Sequence, residues 1–237
     1  MTFDSNYIAS EINHLRVLVG DISQPPDDCP EGWSISKNSP LSILAVFTPL
    51  RIKKGYTLRA YQYLSSGNGN GFVWAMPIDA DFPNTEECPR LQDEFLEPPK
   101  PPQSLDNCMD VIEGDGSPWS HLCASLLERE LREFGAVWHG CDWSEHRILD
   151  ADPWKDSLSP KEDTVSPIDE WQWRQPRPAD WKPRVIQHPD RTIVTFLSYS
   201  WVGRESIYKH VDVYLPRSYK PDSSVDIVAI GERGGVF

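Results

Sequence analysis

Between Trp138 and His146 the chain places two imidazoles, a thiol and two carboxylates in one short run, Trp-His-Gly-Cys-Asp-Trp-Ser-Glu-His. His139, Cys141 and His146 form an N, S, N donor set of the kind zinc takes. Glu145 or Asp142 would then serve as the catalytic carboxylate that activates a metal-bound water. If Val137 to Cys141 is extended, His139 and Cys141 project from the same face. A turn at Asp142 to Ser144 would bring His146 back beside them. The same residues permit a thiol nucleophile, with His139 or His146 lowering the pKa of Cys141. They also permit a plain hairpin with a buried Cys141, hydrogen-bonded imidazoles, and Trp138 and Trp143 as packing anchors or ligand-binding rings. The spacing matches no established zinc motif.

A helix immediately upstream must deliver this segment. Ser117 to Phe134 has a capping serine, a proline suited to the first turn, and one apolar face from Trp119 through Leu122, Leu126 and Leu127 to Phe134. On this reading Arg129, Glu130 and Glu133 face outward and Glu128 pairs with Arg132 one turn on. Gly135 ends the helix, because glycine takes the left-handed dihedral without steric cost. Short strands are expected at Ala136 to His139 and His146 to Leu149, either side of a turn.

The remaining elements follow from periodicity. Ser5 to Val19 reads as a first helix, with Ile8, Ile12, Leu15 and Val19 on one stripe. The apolar run Leu41 to Thr48 reads as a buried strand. Tyr56 to Leu64 and Phe72 to Met76 flank a Gly/Asn cluster, Gly67 to Gly71, and read as a hairpin. That cluster lacks the strand-then-helix setting of a phosphate loop. Further strands are expected at Thr192 to Ser198, Ser206 to Leu215 and Val225 to Ile230. Strands in hairpin-like groups, rather than alternating with helices, predict an α+β fold with a mostly antiparallel sheet packed by one or two helices.

Two irregular segments, near 79–115 and 150–183, are expected within a single domain spanning 1–237. The first carries Pro98-Pro99-Lys100-Pro101-Pro102, read as a rigid spacer in preference to a ligand for an aromatic groove. The second carries dispersed carboxylates, among them Asp156, Glu162 and Asp163, without calcium-loop spacing. It also carries Trp154, Trp171, Trp173 and Trp181, which are expected to clamp it to the body.

The chain has 237 residues and a net charge of −13, with the acid concentrated before Arg174. An acidic surface repels phosphate backbones and anionic lipid, so neither nucleic acid nor a membrane is an expected partner. Five cysteines without a CxxC pair, and no basic-then-apolar leader, predict free thiols in the cytoplasm. There is no nucleophile elbow, P-loop, dinucleotide fingerprint or HExxH. The expected function is a binding or accessory protein without its own catalysis, taking a protein or small-molecule ligand. The alternative is a metal-assisted hydrolase, with zinc, at residues 139–146.

Overall fold

Hydrophobic alternation drives the strands of this chain into antiparallel ladders, some between chain neighbours and some between distant segments. The computed structural model describes residues 3–26, 28–92, 94, 96–155 and 165–234. β1 (Phe3–Asn6) and α1 (Ala9–Ser23) come first. β2 (Gly32–Ile35), α2 (Pro40–Val46), β3 (Leu50–Ile52), β4 (Tyr56–Ser65), β5 (Asn68–Pro77) and β6 (Ile112–Gly114) lead to α3 (Pro118–Arg132). β7 (Arg147–Leu149), β8 (Gln172–Trp173), β9 (Arg184–Gln187), β10 (Thr192–Ser200), β11 (Ser206–Tyr214) and β12 (Asp222–Ile230) complete the series. Every strand pairing among the described residues is antiparallel, and the fold is α+β.

The chain divides into two compact units. Unit 1 takes Met1–His14, Glu145–Pro216 and Pro221–Phe237; unit 2 takes Leu15–Ser144 and Arg217–Lys220. Unit 1 is built on one sheet in the order β1-β9-β10-β11-β12-β8, with β7 also on β10. Leu197 and Tyr199 of β10 and Ile207 of β11 share one face of that sheet, because Tyr199 stands opposite Ile207 and strand side chains alternate. On this face sit Trp171 and Trp181, both buried, with Trp154 and Trp173 packed alongside. The four tryptophans therefore clamp the described parts of the 150–183 segment, residues 150–155 and 165–183, as their number in a proline-rich stretch implies. Arg177 locks the clamp: its guanidinium stacks on Trp154 and Trp173 and bonds both oxygens of Asp152. Asp156, Pro160, Glu162 and Asp163 lie outside the described residues.

Unit 2 holds the sheets β2-β4-β5 and β3-β6 with α2 and α3. Three expectations are corrected, and one stretch without periodicity in the sequence holds a strand. Residues 3–6 form an edge strand on β9 and not the start of a helix; the helix begins at Ala9, and Ile8 is exposed. The run from Leu41 is the helix α2, since Pro40 at its first turn and the extended Ser39 favour helix entry and a short apolar run alone cannot distinguish the two. Turn-rich Gln24 to Pro40 contains β2. The proline run packs inside its own unit: Pro98, Pro99 and Pro101 are buried, and the Trp74 indole donates to the Pro99 carbonyl at 3.0 Å.

The hairpin β4–β5 turns on Ser66 and Gly67 alone, both at positive φ, the requirement of a tight two-residue turn. Gly69 and Gly71 lie within β5 for another reason. A Cβ on Gly71 would stand 2.5 Å from the Phe134 carbonyl oxygen, so the backbone leaving α3 can cross the strand only where no side chain intervenes.

Candidate functional site

Helix α3 carries the charges that organise unit 2. Ser117 caps it, its hydroxyl accepting from the Ser120 amide. Every residue from Ser120 to Leu131 is buried, including Glu128, Arg129 and Glu130. The expectation that Arg129 and Glu130 face solvent is therefore corrected. A buried charge is tolerated only when paired and hydrogen-bonded. Arg16 of α1 supplies the partner: its Nε lies 2.9 Å from Glu130 Oε1, which also accepts from the Trp143 indole at 2.8 Å. The Arg16 guanidinium stacks on the Trp143 ring at 4.1 Å and donates to the Trp143 carbonyl.

Glu133 fixes the segment after the helix. It accepts backbone N–H bonds from Asp142, Trp143 at 2.6 Å and Ser144 at 2.5 Å. Burial raises its carboxyl above the ordinary value, while these three amides pull the other way. Because Glu133 and Glu130 reach into it, the stretch forms 3-10 turns at Trp138–Gly140 and Trp143–Glu145 in place of a hairpin. Val137 bridges Gly69, and β7 pairs with β10. The expected strand at Ala136 to His139 is thus replaced by a turn, with Trp138 at a φ of 50°.

The residues singled out in this stretch have different surroundings. Trp138 is half-exposed and stacks on His139 at 4.3 Å; Asp142 is exposed, and Cys141 and Glu145 are intermediate. Trp143 is buried as an anchor of the charge network. His139, Cys141 and Asp142 fall in unit 2, whereas Glu145 and His146 fall in unit 1. Among the described residues no three His, Cys, Asp or Glu side chains are grouped to hold a metal ion.

His146 belongs to a different constellation. Its Nδ1 lies 2.8 Å from the Ser198 hydroxyl, which lies 2.7 Å from His210 Nε2. A serine between two imidazoles has the composition of a nucleophilic site. Its setting does not: Ser198 has no accessible surface, His146 packs on Tyr208 and His210 stacks on Phe196. A nucleophile must be reached by its substrate, so this chain of hydrogen bonds is a buried core network. Two of the thiols are equally unsuited. Burial pushes Cys108 and Cys123 up to about 12, so roughly one thiol in 10⁵ is ionised at neutral pH.

A concave feature of unit 2 lies elsewhere, between β5, the 106–109 turn and the last turns of α3. It is a cavity of about 490 Å³. Trp33, Phe72, Val73, Met109 and Leu131 give it apolar walls. Glu94, Asp106, Glu128 and Arg132 give it charge. The walls are held in advance. The Trp33 indole donates to the Leu96 carbonyl at 3.0 Å, and its ring lies 5.4 Å from Tyr63. Phe72 packs 4.6 Å from Trp74. Asn107 caps the 108–111 turn by accepting from the Met109 amide. Glu128 is fixed by Arg132 at 2.5 Å, and Lys100 holds Asp106 below its usual pKa range by a direct hydrogen bond. Sequence reading missed this site because Glu128 and Arg132, four apart on a helix, look like an ordinary surface pair. Trp33 lies in a stretch with no period. A buried carboxylate and fixed aromatic rings are brought to the lining of one cavity only by the tertiary fold.

Comparison with protein-family models, with curated proteins and with solved structures finds no match. No described helix is long and apolar enough to cross a membrane.

Proposed function

We propose that this chain is a binding protein without its own catalysis, and that the cavity of unit 2 receives a small-molecule ligand. The observation that carries the reading is the cavity itself: about 490 Å³, walled by Trp33 and Phe72, with the buried Glu128 on one side. That volume and that mixture of apolar wall with few placed polar groups are those of a small-molecule site. Two features support a non-catalytic role: Ser198 is out of reach, and burial holds the Cys108 and Cys123 thiols protonated. The net charge of −13 argues against nucleic acid as the partner. The five free cysteines favour a reducing compartment such as the cytoplasm.

The test is a crystal soaked with a panel of small aromatic and aliphatic fragments. Fragment density between Trp33, Phe72 and Glu128 is the expected result. Soaks that leave this cavity empty while fragments occupy other surfaces would remove the proposal.

A further inference from the structure

We infer that the ligand of the unit 2 cavity is a small organic cation with an apolar or aromatic body; the inference rests on the cavity being the ligand site. Sign decides first. The lining holds three carboxylates, Glu94, Asp106 and Glu128, against one guanidinium, Arg132. An anion entering would face like charge on several sides, a juxtaposition that disfavours wrong partners strongly. The carboxylates are not equivalent. Asp106 is largely exposed and already bound to Lys100, and Glu94 is exposed, so both act at the rim, where water and salt screen them. Glu128, with 7% of its side chain exposed, acts where the effective dielectric is lower. It pairs with Arg132 through Oε1 and lies 4.0 Å from the buried Arg129 through Oε2; Arg132 is mostly exposed and Arg129 also bonds the Ser125 carbonyl, so both guanidiniums share their charge with other partners while the carboxylate stays in the wall.

The apolar walls set the rest of the ligand. Trp33 spends its indole N–H on the Leu96 carbonyl, so what it offers the cavity is ring surface and not a donor. Phe72 offers the same. A cation near an aromatic ring is attracted by the negative face of the ring, the more strongly the further it is desolvated. Met109 and Leu131, both buried, complete an apolar lining that a bare inorganic cation could not use. The combination selects a charged head joined to an apolar body. It disfavours a hydrated metal ion.

Three probes of similar size and different charge separate the outcomes: benzyltrimethylammonium, benzyl alcohol and phenylacetate. Each is titrated into the full chain while the Trp33 indole N–H resonance is followed. The cation is expected to bind at least tenfold tighter than the alcohol, to weaken as salt is raised, and to lose that preference in Glu128→Gln. Phenylacetate is expected not to bind. Should Glu128→Gln fail to fold, the exposed pair Glu94→Gln with Asp106→Asn is expected to reduce the salt dependence. If the alcohol or phenylacetate matches or exceeds the cation, the charge inference is overturned and the cavity remains a ligand site. If no probe moves Trp33, both fall.

Discussion

Glu133 is the residue on which the shape of the 138–146 segment depends. Three amides converge on one carboxylate, and a carboxylate accepts from all three because both its oxygens are acceptors. Glutamine in its place would turn an NH₂ group toward an N–H donor. Glu133→Gln is therefore expected to cost about 1–3 kcal/mol. Amide exchange at Asp142, Trp143 and Ser144 should quicken well beyond that at the middle of α3. Unchanged protection at those three amides would show that the turn holds itself.

His121 gives a pH dependence of definite sign. Its ring stacks 4.8 Å from Tyr219, and Nδ1 donates to the Ser117 carbonyl at 3.0 Å. Burial lowers its pKa, against the Ser117 bond and the Asp115 charge, which raise it. A lowered folded pKa means the unfolded chain binds the proton first. The stability contribution is therefore whole above the unfolded value of about 6.5 and declines as pH falls through the folded pKa. His121→Phe, which keeps the stacking on Tyr219, is expected to flatten the loss of stability between pH 7 and pH 5. Denaturant unfolding at the two pH values measures it, and an unaltered slope would assign the acid sensitivity to other groups.

At the scale of elements, α1 and α3 are joined through the buried charges of Arg16 and Glu130. Removing one partner leaves the other charged and unpaired, so Arg16→Met is expected to cost about 3–5 kcal/mol. Adding Glu130→Leu removes the stranded carboxylate and is expected to recover part of that loss, although the Trp143 indole then loses its acceptor. A double variant as unstable as the sum of both single losses would contradict a coupled pair.

The same helix shows what was legible beforehand. Its limits were readable, because Ser117, Pro118 and Gly135 are local signals that act on backbone dihedrals. The long strands β4, β10 and β11 were readable from alternation. The burial of Glu130 was not, because its partner Arg16 lies more than a hundred residues earlier. The helix α2 was misread as a strand, since Leu41 to Val46 carries the same apolar content either conformation would bury. Of the residues marked for chemistry, Trp143 has an anchoring role, while the cavity draws on side chains distributed from Trp33 to Arg132.

For the whole molecule, an acidic chain with a preformed aromatic cavity has a simple consequence. Long-range charge draws cations toward it, and the fixed walls reduce what binding must spend on ordering. The clamp of Trp154, Trp171, Trp173 and Trp181 is a separate use of tryptophan, spent on holding a loop.

The cavity as binding site is tested most directly by methionine-methyl labelling. Met109 lines the cavity, whereas Met76 lies in the core of β5 and serves as the internal reference. With benzyltrimethylammonium bound, an intermolecular nuclear Overhauser effect is expected from the ligand to the Met109 methyl group and not to that of Met76. Saturable binding with no such contact at Met109 would place the ligand elsewhere and contradict the account.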